Sequence, residues 1–117
     1  MDKILVVDDD LDILSLVQTI LTMNNFAVVA LSSWEEIESK IETFKPNLVL
    51  LDVMLNGADG REICRNLNIN KNLPVVLFSA NSEMQKDITK YNAKGFIAKP
   101  FEISDFVETI KANVSHN

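Results

Sequence analysis

The stretch Lys3-Ile4-Leu5-Val6-Val7-Asp8-Asp9-Asp10 sets an unbroken apolar run directly before three carboxylates. A run this short, rich in β-branched residues and free of polar alternation, reads as a strand buried on both faces, as in a parallel sheet. Working outward, the pattern returns three times. Leu48-Val49-Leu50-Leu51 ends in Asp52, Val75-Val76-Leu77-Phe78 in Ser79, and Phe96-Ile97-Ala98 in Lys99-Pro100. The ends of parallel strands share one edge, and in open α/β sheets the carboxyl edge is where ligands bind. Three acids, a hydroxyl and an amine distant in sequence are therefore expected at one site.

Strands are predicted at Lys3–Val7, Ala27–Leu31, Asn47–Leu51, Pro74–Phe78 and Gly95–Ala98, with five helices between and after them. Asp10 is placed to cap a helix carrying Ile13, Leu14, Val17, Ile20 and Leu21. Ser33-Trp34-Glu35-Glu36 has the form of a capping box before Ile37, Ile41 and Phe44. Asp59 can cap a third helix with Ile63 and Leu67. Ser82-Glu83-Met84-Gln85 repeats the box before Ile88 and Tyr91, and Asn92 suits a left-handed stop. Ile103, Phe106, Val107 and Ile110 form the stripe of the last helix.

This alternation predicts one α/β domain over residues 1–117: a three-layer sandwich with a five-stranded parallel sheet and helices on both faces. The flavodoxin-like strand order 2-1-3-4-5 would put Asp8-Asp9 and Asp52 beside the topological switch point. Periodicity by itself does not establish that order.

A chain of 117 residues buries a continuous core without staples. One cysteine, Cys64, excludes an internal disulfide or a Cys-based zinc cluster and fits a reducing compartment. The lone His116 sits in a polar tail, far along the chain from the acidic turns, and reads as a frayed end. Eleven Lys plus Arg against seventeen Asp plus Glu give a net charge of −6, which disfavours direct nucleic-acid binding. No apolar stretch approaches the roughly 20 residues of a membrane span, and Met1-Asp2-Lys3 has no signal-peptide layout. A cytoplasmic protein is expected.

Three neighbouring carboxylates repel one another, so a site that keeps them ionised recruits a cation or retains a proton. Oxygen-only donors favour a hard ion such as Mg2+, with Asp9 and Asp52 as direct ligands and Asp8 acting through water. Lys99 adds a positive charge and Ser79 a donor. These are the parts that stabilise a transferring phosphoryl group, and a carboxylate such as Asp52 can itself be the nucleophile. Singly, each residue would pass for a helix cap, a loop hydroxyl or a surface charge. At the ends of four core strands, the set reads as functional.

Asp8-Asp9, Asp52 with Gly60 eight positions on, Ser79-Ala80 and Lys99-Pro100-Phe101 together resemble the receiver domain of two-component response regulators, across essentially the whole chain. The resemblance implies that Asp52 accepts a phosphoryl group from a histidine kinase or phosphotransfer protein. It implies that Asp8 and Asp9 support Mg2+ with the backbone carbonyl of Met54, and that Lys99, before a cis Pro100, pairs with the phosphoryl group. Ser79 and Phe96 match a switch pair that would reshape the surface of the fourth helix, fifth strand and fifth helix for a downstream effector protein or domain. That face, which includes Lys90, Glu102, Glu108 and Lys111, could also support a homodimer.

The chain departs from the family in having Leu55-Asn56-Gly57 where Met-Pro is common, which predicts a less restrained loop. Of the two positions tied to acyl-phosphate lifetime, Asn81 can orient water and Met54 cannot. An aspartate-nucleophile phosphatase of the haloacid-dehalogenase type is the enzyme alternative, but Asp52-Val53-Met54 lacks its second acid. An unphosphorylated docking module is the other alternative, against which the complete set of acids, hydroxyl and lysine argues. Gly57, Gly60 and Gly95 form neither a P-loop nor a dinucleotide fingerprint. The expectation is a signalling switch that catalyses transfer onto itself, not a multiple-turnover enzyme.

Overall fold

A computed structural model describes residues 1–114; His116, read above as a tail residue, lies outside them. Five parallel strands form one sheet: β1 (Lys3–Val7), β2 (Ala27–Leu31), β3 (Leu48–Asp52), β4 (Val75–Ser79) and β5 (Gly95–Ala98). Their spatial order is β2-β1-β3-β4-β5, the predicted 2-1-3-4-5. The apolar runs are continuous because β3 and β4 are buried along their whole lengths, whereas the edge strands β2 and β5 are mostly half-buried. Strands β3 and β4 each start and end one residue later than expected, so Asp52 and Ser79 are their last residues rather than the first of a loop.

Side-chain alternation divides the core into two clusters. On one face Ile4, Val6, Leu48, Leu50, Val76, Phe78 and Ile97 pack beneath α1 (Leu11–Met23) and the final helix, labelled α4 here (Ile103–Asn113). On the other, Leu5, Val7, Val49, Leu51, Val75 and Leu77 pack beneath α2 (Ile37–Phe44) and α3 (Gly60–Lys71). Asp10 caps α1 as expected, its carboxylate accepting from the N–H groups of Asp12 and Ile13. Asp59 caps α3 by accepting from the Arg61 N–H at 2.9 Å.

The two capping boxes resolve differently from their sequence form. Ser33 opens a 3-10 turn, Trp34–Glu36, that leads into α2, and its Oγ accepts from the Glu35 N–H rather than the Glu36 N–H while its hydroxyl donates to the Glu35 carboxylate. The fourth helical segment, Ser82–Asp87, is also 3-10, and its cap is Asn81 instead of Ser82: Asn81 Oδ1 accepts from the Glu83 N–H at 3.1 Å. Both residue types suit the position, and it is Asn81 that has the extended backbone of a cap. Asn92 adopts the expected left-handed conformation at φ 62°.

Candidate functional site

Strand register assembles the site. Val7 of β1 is level with Leu51 of β3, so Asp8 follows one strand and Asp52 ends the next. At this point the chain order reverses between β1 and β3, opening a crevice at the carboxyl edge. Carboxylate oxygens of Asp8, Asp9 and Asp52 all lie within 4.8 Å of one another. Asp8 is fully buried and Asp52 only 7% exposed, while Asp9 is half-buried. Lys99 reaches in from the end of β5 and places Nζ 2.9 Å from Asp8 Oδ2 and 3.4 Å from Asp52 Oδ2. Its peptide bond to Pro100 is cis, as the resemblance implied.

The remaining bonds hold the carboxylates in place. Asp8 Oδ1 accepts from the Asp10 N–H at 2.9 Å, and Asp52 Oδ1 accepts from the Met54 N–H at 3.2 Å. Burial and the charge of Asp8 push Asp52 up to about 6, with Lys99 and the Met54 N–H pulling the other way. A single ammonium thus fails to compensate two close carboxylates in a desolvated crevice. An all-oxygen donor set with surplus negative charge suits a small hard cation such as Mg2+.

Such an ion binds the folded chain and not the unfolded one. At a tenfold excess over its dissociation constant it stabilises by about 1.4 kcal/mol. Differential scanning calorimetry at neutral pH is therefore expected to show Mg2+ raising Tm by several degrees, with most of the increase lost in Asp9→Asn. Equal increases in the two proteins would place the ion elsewhere.

The structure puts Ser79 and Phe96 nearby but in other company. Ser79 is buried at 4% exposure; its Oγ accepts from the Asn81 N–H at 3.0 Å and turns its hydroxyl toward the Met84 sulfur, 3.9 Å away. Phe96 is half-buried against the α2–α3 cluster. Met54 presents an exposed side chain.

The segment after Asp52 forms a short hairpin. Met54–Leu55 pairs antiparallel with Ala58–Asp59, turning through Asn56-Gly57 with Gly57 at φ 82°. Asn-Gly between short paired segments is the hairpin signal the sequence reading passed over. The hairpin closes through the Gly60 N–H, which donates to the Val53 carbonyl at 2.8 Å. Gly60 has a second role: a Cβ there would overlap the Asp52 carbonyl oxygen.

Comparison with known proteins gives a consistent result. Residues 4–111 match the response regulator receiver domain. The alkaline phosphatase synthesis transcriptional regulatory protein PhoP of Bacillus subtilis is 36% identical over 113 residues, covering 94% of this chain and 47% of that protein. The chain spans about half the length of the curated relatives it matches. Among solved structures, the BeF3-activated N-terminal receiver domain of RstA from Klebsiella pneumoniae superposes with a TM-score of 0.88 at 28% identity, over 95% of this chain and 97% of that one. The response regulator TrrA of Thermotoga maritima, in complex with Mg2+-BeF, does so with a TM-score of 0.87 at 26% identity, over 96% and 98%. With its strand order, acidic cluster and the match over residues 4–111, the chain belongs to the response regulator receiver domains of two-component signalling.

Proposed function

We propose that this receiver accepts a phosphoryl group on Asp52 from a phosphohistidine of a histidine kinase or phosphotransfer protein. The observation that carries the reading is the convergence of Asp8, Asp9, Asp52 and Lys99 in one buried crevice. An Asp52 carboxylate oxygen attacks phosphorus as the N–P bond of the donor breaks, and the imidazole leaves and regains a proton from solvent. Asp8, Asp9, Asp52 and the Met54 carbonyl would hold Mg2+, which offsets charge on the transferring group. Met54 suits this role because the pair Met54↔Asp59 follows the bonded pair Val53 and Gly60, so the alternation of antiparallel bonding leaves its carbonyl outside the ladder. The likeness to TrrA, solved with Mg2+-BeF, supports the same reading.

Lys99 supplies positive charge to the phosphoryl oxygens, exchanging part of its pairing with Asp8 and Asp52. Ser79 is available to them at small cost, since its hydroxyl faces a thioether, a weak acceptor. Phosphorylation would then favour the arrangement in which Ser79 turns to the phosphoryl group and Phe96 follows it inward. The surface that changes comprises the segment Ser82–Asp87, β5 and α4, offered to an effector or a second copy of the chain.

Asn81→Ala is expected to lengthen the acyl-phosphate lifetime a few-fold by removing a group able to orient water. It should also cost about 1 kcal/mol of stability, because Asn81 caps the 3-10 segment. Loss of radiolabel with time measures the first effect, and an unchanged rate would remove Asn81 from hydrolysis. The proposed function itself is tested by incubating the protein with a small-molecule acyl-phosphate donor and Mg2+ and recording intact mass. One added phosphoryl group is expected, suppressed by a chelator; no mass gain with Mg2+ present would overturn it.

A further inference from the structure

Lys99 must cross a whole strand to reach its partners. Asp52 of β3 is level with Phe78 of β4, and Phe78 with Ile97 of β5. Alternation sends all three side chains to the α1–α4 face, where Phe78 and Ile97 pack together. Lys99, two residues beyond Ile97, starts from that same face. Two strand spacings of about 4.8 Å separate β5 from β3, so the lysine stem spans β4 directly over residue 78. Its Nζ lies 4.5 Å from the centroid of the Phe78 ring.

We propose that Phe78 is a positioning residue for phosphoryl transfer, its ring forming a cation–π platform that holds the Lys99 ammonium between Asp8 and Asp52. This rests on the function proposed above. The contact is well shielded: Phe78 is fully buried and the Lys99 side chain 17% exposed, the setting in which a cation gains most from an aromatic face. The ring is itself fixed, with its centroid 5.6 Å from that of Phe101 and 6.2 Å from that of Phe106, and those two stack at 4.8 Å. An aliphatic residue at 78 would keep the position apolar but offer the ammonium no aromatic face.

The consequence for the reaction is geometric. Two carboxylates alone attract the ammonium without fixing where it rests, and full collapse onto Asp52 would cover the attacking oxygen. The platform keeps Nζ at 3.4 Å from Asp52 while it pairs with Asp8 at 2.9 Å. A phosphoryl group arriving at Asp52 therefore meets a cation already in place.

The test replaces Phe78 with mono-, di- and trifluorophenylalanine, which drain the ring face while nearly preserving its shape. Initial rates of Asp52 labelling by an acyl-phosphate donor with Mg2+ are measured in the native and Lys99→Met backgrounds. A graded fall reaching about 5- to 30-fold is expected with Lys99 present, and none with Met at 99. In the metal-free protein, NMR of 13C-lysine should show the Lys99 ε-methylene protons shifted upfield by the ring and returned to the ordinary lysine range in Phe78→Leu. A flat series, an equal fall in both backgrounds or an unshifted ε-methylene would overturn the proposal. Failure of the native protein to label would instead count against the phosphoacceptor reading, and the NMR result still judges the platform.

Discussion

Replacing Asp52 by Asn is expected to yield a protein that is more stable at neutral pH and takes up no phosphoryl group. The two effects share one origin. Folding buries the Asp52 carboxylate beside Asp8 and lifts its pKa from 3.8 to about 6. Below the lower value the group is neutral whether the chain is folded or not, and it costs nothing. Between the two values the folded state keeps a proton that the unfolded state releases, so stability falls as pH rises. Above about 6 the cost is complete, at most about 3 kcal/mol at ~1.36 kcal/mol per pH unit.

Asn is neutral throughout and escapes that cost, but its amide cannot attack phosphorus. Urea unfolding should place Asp52→Asn about 1–3 kcal/mol above the native protein at neutral pH, with the gap closing as pH falls toward 4. Labelling by an acyl-phosphate donor should drop at least ~10²-fold. A variant less stable than native at neutral pH would show that the site is not charge-strained. Undiminished labelling would show that another residue is the acceptor.

Gly60→Ala is expected to be among the most damaging single-methyl additions available. The added Cβ would overlap the Asp52 carbonyl oxygen and stand 2.9 Å from Val53 Cα and 3.0 Å from the Asp52 carbonyl carbon. All three are backbone atoms, so no side-chain rotation relieves the overlap. Either the start of α3 moves outward and the Gly60 to Val53 hydrogen bond breaks, or the end of β3 shifts and carries Asp52 with it. Overpacking of this kind costs about 3 kcal/mol, or roughly 10 °C in Tm for a domain of this size. Phosphoryl uptake should fall as well, because Asp52 sets its geometry from the same backbone. A Tm within about 2 °C of native would show that the loop yields freely.

The sheet and the acidic crevice were legible because they depend on short-range pattern. Each central strand is apolar on both faces, so its run is unbroken and its polar terminus stands out. Features set by spatial neighbours were not. Gly60 can be singled out by spacing from Asp52, but the reason for it, a helix start pressed against a carbonyl, needs coordinates. The choice of Asn81 over Ser82 as a cap depends on where the 3-10 backbone begins, and both residue types suit that place. The Asn56-Gly57 turn is a local signal, but the segments it joins are only two residues each, too short to show the alternation that marks a strand. Phe78 beneath Lys99 follows only from register across three strands.

As a receiver domain the chain is a signalling module phosphorylated on itself, rather than a classical enzyme. Among the described residues no helix is long and apolar enough to cross a membrane. Its family and its cluster of Asp8, Asp9 and Asp52 support phosphoaspartate and Mg2+ chemistry. The proposed acceptor is tested most directly by mapping the attachment chemically. After labelling with an acyl-phosphate donor and Mg2+, borohydride reduces an aspartyl phosphate to homoserine, which peptide mass spectrometry locates. Homoserine at position 52, absent when Mg2+ is chelated, is the predicted result; homoserine at another position, or a borohydride-resistant phosphate ester, would contradict the account.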